Sequence, residues 1–185
     1  IANDGTLNND GVINNDGTLN NDGTIHNTID GIINNNGGTL NNDGTLINDG
    51  YLNNDGTIHN TIDGTLNNDG IIYNSGTIHN TIDGIINNED TINNDGIIIN
   101  NDILENTGII DNSGTIDNYG NIFNYNSIIN NNDGIIYNSG TIANDGTLNN
   151  GGVIHINDGS IENGGTLNND GTIHNNDGTI HNNGG

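Results

Sequence analysis

The sequence predicts an all-β fold, a parallel β-helix (β-solenoid) with about 18–20 residues in each three-faced coil. Three observations lead there. Aliphatic residues recur at every sixth position over nearly the whole chain. A block of two six-residue units and one eight-residue unit, Gly56–Ser75, begins again at Gly76, where its first eight residues return unchanged. Between the aliphatic positions lie Asn, Asp and Gly, the residues that tolerate left-handed backbone angles and so form tight corners.

Taken in order, the anchors Leu7, Ile13, Leu19 and Ile25 step by six, Ile33 ends an eight-residue step, and Leu40 a seven-residue one. Leu46, Leu52 and Ile58 resume the period, and eight-residue units start at Gly56 and Gly76. Ile86, Ile92, Ile98, Leu104, Ile110, Ile116 and Ile122 follow without a slip. A longer unit around Ser127–Asp133 precedes Ile136, Ile142, Leu148 and Ile154, and the series closes with Ile161, Leu167, Ile173 and Ile180. Roughly 28 repeats thus form one continuous solenoid over residues 1–185. A helix is excluded, because a period of six does not fit 3.6 and a glycine in each unit costs about 1 kcal/mol. Within a unit, alternation puts Leu/Ile and the second Asn on one side of a short strand, and Thr and the first Asn on the other. Three units per coil place the extra residues in Asn60–Asp63 and Asn80–Asp83 at one corner of consecutive coils. The eight-residue unit at Gly23 falls at a different corner.

One aliphatic side chain per repeat is too little apolar burial to offset the ordering of the chain. Backbone ladders and Asn side chains hydrogen-bonded from coil to coil must contribute. Asp residues stacked directly over one another, roughly 4.8 Å apart, would repel by about 0.9 kcal/mol per pair in water.

The chain has 24 acidic residues, 6 His, no Lys or Arg, and no Cys. Nothing can neutralise phosphates, so nucleic acid is not a partner. No apolar run is long enough to insert in a membrane, and the charge disfavours anionic surfaces. The chain opens on Ile1 in mid-pattern and neither end carries a cap, which reads as part of a longer repetitive chain or fibre. A surface of Asn, Thr and Asp without Lys suits an extracellular or cell-surface setting.

An aliphatic residue at every sixth position with a small residue two before it, as in Gly11-Val12-Ile13, resembles the hexapeptide-repeat β-helix family. The Gly-Thr-Ile-x-Asn wording is equally similar to low-complexity repeats of filamentous-haemagglutinin-type adhesins and archaeal surface proteins. The first resemblance implies a left-handed coil, which we favour, and the second a right-handed one. Hexapeptide β-helices include acyltransferases, whose phosphorylated cofactor demands basic residues that this chain lacks.

The functional expectation is a structural, non-enzymatic protein that self-associates into a filament, adhesin stalk or sheath. The alternative is an ice- or glycan-binding surface built from outward Thr and Asn columns. Glu89, Glu105 and Glu162 are scattered, and no cofactor is expected beyond adventitious or structural Ca²⁺ at the Asp-Gly corners. The candidate metal ligands are His59 and His79, expected one above the other, with Asp63 and Asp83. All six histidines follow an inward aliphatic residue and so point outward. Tyr119, Phe123, Tyr125 and Tyr137 form a candidate glycan or lateral-contact patch.

Overall fold

The computed structural model describes residues 1–183, and every regular element among them is a strand. Twenty-nine strands are arranged as three parallel sheets. Sheet A has ten strands from Ala2–Asn3 to Thr172–Asn176, sheet B ten from Thr6–Asn9 to Thr179–Asn182, and sheet C nine from Val12–Asn15 to Thr166–Asn169. Consecutive strands go to different sheets, so each strand pairs with the one three places along the chain. This is the parallel β-solenoid that the period implied.

Nearly all strands are four residues long, and through most of the stack their second and fourth side chains are buried. The second is the aliphatic anchor, from Leu19 to Ile161, at most 2% exposed. Leu7, Ile13, Leu167 and Ile173 pack partly buried against this column. The fourth is almost always Asn, and its carboxamide forms the second inner column. In sheet B the Nδ2 of Asn48 donates to Oδ1 of Asn68, and Asn68 to Asn88, both at 2.8 Å. Such links run through all three sheets, as in Asn60 to Asn80 and Asn54 to Asn74. Each Nδ2 also faces backbone carbonyls, those of Gly70 at 2.9 Å and Thr91 at 3.0 Å for Asn68. Two carbonyl neighbours require a donor, which fixes the orientation of each amide. The inner amides therefore all point the same way along the rod. Outward Asn pairs run in the opposite sense, Asn53 donating to Asn34 and Asn34 to Asn14.

The sheet A ladder is broken once. Ile156 occupies the fourth inner position, in register with Asn138 and Asn175, and is fully buried. Asn138 Oδ1 still accepts from Asn118 at 2.8 Å, but its Nδ2 is left with the Ser160 carbonyl at 2.8 Å in place of the next amide.

Glycine opens nearly every strand because of the coil beneath it. A Cβ on Gly76 would lie 2.1 Å from the Gly56 carbonyl oxygen, whereas on Gly17 or Gly11, at the start of the stack, it would meet nothing within 4 Å. Where another residue takes the slot, the ladder loosens. Beside Asp102 the bond from the Ile103 amide to the Gly84 carbonyl stretches to 3.5 Å, and beside Asp90 that from Thr91 to Gly70 is 3.2 Å.

Inner Asn pairs lie 18 to 21 residues apart, so some coils are longer than the expected 20. The longest contain both the eight-residue unit at Gly23 and the seven-residue unit that ends at Leu40. The insertions after Asn60 and Asn80 leave sheet A at one corner, and the one after Asn27 leaves sheet B. The first two close as turns, with the Gly64 amide on the Thr61 carbonyl (2.8 Å) and Gly84 on Thr81 (3.1 Å). Asp63 and Asp83 take the left-handed position, with φ of 65° and 64°.

The identity of the corner residues also separates charge. At the corner between sheets C and A, successive coils present Asn36, Asp55, Ser75, Asp95 and Ser113, so acidic and neutral residues alternate. Directly stacked acids occur at the other corners, as Asp22 with Asp43 and as Asp49, Asp69 and Glu89.

Candidate functional site

With the interior occupied by repeating Ile/Leu and Asn, chemistry is confined to the outward columns and corners. His59 and His79 are third residues of adjacent sheet A strands and stand in register. Their ring centroids are 5.7 Å apart at an interplanar angle of 60°. The Asn101 side-chain amide lies 2.8 Å from His79 Nε2, a contact that suits the tautomer with its proton on Nδ1. Burial, and secondarily the neighbouring His59, lower the His79 pKa below its ordinary 6.5. Both effects favour the neutral imidazole.

Beside this pair the two insertions project Ile62 and Ile82, 63% and 66% exposed. With Thr61, Thr81, His79 and Asn101 they line an apolar groove. Among the described residues, the Thr81 hydroxyl in this groove is buried without a hydrogen-bond partner, although Thr61 Oγ1 donates to the Asn42 carbonyl at 3.2 Å. Of the four sequence-derived metal candidates, the structure thus joins His59 and His79. Asp63 and Asp83 sit in the turns and do not line the groove. Among the described residues, no three His, Cys, Asp or Glu gather where they could hold a metal ion. Two imidazoles offer a borderline metal half of a tetrahedral set, the remainder having to come from water or a ligand.

The other histidines have different neighbours. His26 Nε2 lies 2.7 Å from Asp49 Oδ2. His155 stacks on Tyr137 at 5.1 Å and on His174 at 4.9 Å, a three-ring pile along sheet A. His181 is in register with Glu162 on sheet B.

The aromatic cluster of the sequence is divided by the coil. Phe123 on sheet B stacks on Tyr125 at the next corner, 5.7 Å and 2° from parallel. Tyr119 stands at the corner before sheet B, and Tyr137 faces out from sheet A. Two juxtapositions were not read from the sequence. Glu89 and Glu105 line one shallow depression with Thr107. Asp49, Asp69 and Asp90 line another with Ile29, Tyr51 and Ile71. The spacing of about one coil between members was the available signal, but it required the register of each long unit. No family model, curated protein or solved structure matches the chain.

Proposed function

We propose that this protein is a structural, extracellular β-solenoid that forms a filament, adhesin stalk or sheath, and that its chemistry is recognition along its outer columns rather than catalysis. The observation that carries this reading is the inner Asn ladder. Each coil binds the next through the same amide and backbone hydrogen bonds, 2.8 Å for both Asn48–Asn68 and Asn68–Asn88, so rod length is set by the number of coils alone. Such an interior gives stiffness and a regular surface without requiring a large apolar core. Negative-stain electron microscopy with sedimentation velocity tests it: rods or filaments that lengthen with concentration are expected, and compact monomers at high concentration would refute the assembly.

A second reading has its own support in the Thr columns. Thr39, Thr57 and Thr77 are aligned on sheet A, and Thr24, Thr45 and Thr65 on sheet B. A row of hydroxyls at the strand spacing of about 4.8 Å is suited to ordering water or to meeting glycan hydroxyls. Thermal hysteresis and a glycan array distinguish the two ligands, and silence in both removes this reading.

A further inference from the structure

The groove at the corner between sheets B and C combines features found in neither the Thr columns nor the histidine pair. Its apolar side is Tyr51 and Ile71, adjacent in the first outward column of sheet C, with Ile29 projecting from the insertion beneath them. Ile29 is 76% and Tyr51 44% exposed. Its floor includes Gly50 and Gly70, and its acidic side is Asp49, Asp69 and Asp90. Asp49 and Asp69 are stacked in consecutive coils with Glu89 above them, so like charges repel along this corner. Asp49 pairs with His26, and Asp90 Oδ1 accepts the Thr91 hydroxyl at 2.9 Å. Among the described residues, the Asp69 carboxylate has no partner.

The chain contains no Lys or Arg that could fill this position, in its own coils or from a second copy. A cation offered to it must come from elsewhere. A Lys or Arg side chain matches the groove in both of its parts: its methylene stem covers Ile71 and Tyr51, and its charged head meets Asp69 and Asp90. We propose that this groove is a docking site for a basic amphipathic segment of another protein, one in which Lys or Arg alternates with apolar residues. The inference goes beyond the filament reading, because a single short rod would carry the site equally well.

The test is fluorescence anisotropy with the full chain and a labelled synthetic peptide of alternating lysine and valine. Two double variants with the same charge change are compared, Asp69→Asn/Asp90→Asn in the groove and Asp55→Asn/Asp95→Asn at the corner between sheets C and A. The groove variant is expected to weaken binding about tenfold and the control to leave it within about twofold. Ile71→Thr is expected to weaken it several-fold without any change of charge. The proposal is overturned if the peptide does not bind, or if both double variants lose affinity equally, which would mean attraction to a polyanion in general. Retained affinity in the groove variant, with its far-UV circular dichroism unchanged, overturns it as well.

Discussion

Replacing one inner asparagine tests the physical basis of the rod most directly, and Asn68→Ala is the informative change. Asn68 is fully buried in the middle of sheet B. Its Nδ2 serves Asn88 Oδ1 and the carbonyls of Gly70 and Thr91, and its Oδ1 accepts from Asn48. Alanine removes all four contacts at once. Asn48 retains the Gly50 and Ile71 carbonyls, at 3.2 and 3.3 Å, but Asn88 Oδ1 loses its amide donor. At about 1 kcal/mol for each net hydrogen bond, with a further 1–3 kcal/mol for a buried group left unpaired, the expected loss is about 5–7 kcal/mol.

The control is the preceding residue. Asn67 points outward, and its Oδ1 accepts from Asn87 Nδ2 at 2.8 Å where water can replace it. Asn67→Ala should cost about 0.5 kcal/mol or less. Urea unfolding followed by circular dichroism gives the global difference. Amide exchange over residues 65–91 reports local opening, since a stack of repeats need not unfold as one unit. If the two variants differ by less than about 1 kcal/mol, the inner ladder does not hold the coils together and the reasoning fails.

Three further outcomes follow from the same structure. Gly76→Ala, which places a Cβ against the Gly56 carbonyl, should destabilise by about 2–3 kcal/mol, whereas Gly17→Ala at an open position should be close to neutral; thermal melts compare them. Ile156→Asn should reconnect Asn138 with Asn175 and add about 1 kcal/mol, seen as a rise of about 2–4 °C in the melting midpoint. The pH dependence has opposite signs at two positions on sheet A. His79, lowered mainly by burial, contributes stability above its unfolded value of 6.5 that is lost as pH falls through its folded value, so His79→Asn should flatten the stability profile below pH 6.5. Asp117, between Ile99 and Tyr137, is raised from 3.8 by burial; its contribution is present below 3.8 and lost as pH rises through the folded value. Asp117→Asn should therefore remove that loss and stabilise the rod at neutral pH, which denaturation measured at several pH values would show.

The interior was legible because both its columns follow from a period of six combined with an alternation of two. Leu66 and Asn68 are inward and Thr65 and Asn67 outward by parity alone, before any coil is closed. The stacking of His59 on His79 was legible because Gly56 and Gly76 begin identical segments one coil apart. What failed to read depended on register accumulated over units of unequal length. Asp55 and Asp95 alternate with Asn36 and Ser75 because the residue at this corner differs from coil to coil, and only the pairing of every third strand shows which of them stack. Ile156 was hidden for a related reason. In Val153–Asn157 the alternation continues from Ile154 to Ile156, so an aliphatic residue enters the slot normally held by Asn. The aromatic cluster misled because neighbours in sequence diverge onto different faces, and Tyr137 meets His155, 18 residues away, at 5.1 Å.

That geometry governs how this molecule can recognise anything. Residues one coil apart in sequence are neighbours in space, while residues one strand apart look out in different directions. A binding surface here is a vertical strip, read at one rung per coil, and each rung contributes only one or two side chains. Affinity must then come from many modest contacts in series, so a ligand that follows the rod axis gains from every coil, whereas a compact one meets too few rungs. The inner Ile/Leu and Asn columns fix the rungs and leave the outward residues free to vary. Along sheet A that freedom is spent on Thr, His and Tyr, and along sheet C on Ile32, Tyr51 and Ile71 beside the acidic corner. An extended partner carrying positive charge is the ligand class that this strip of sheet C matches in shape and in sign.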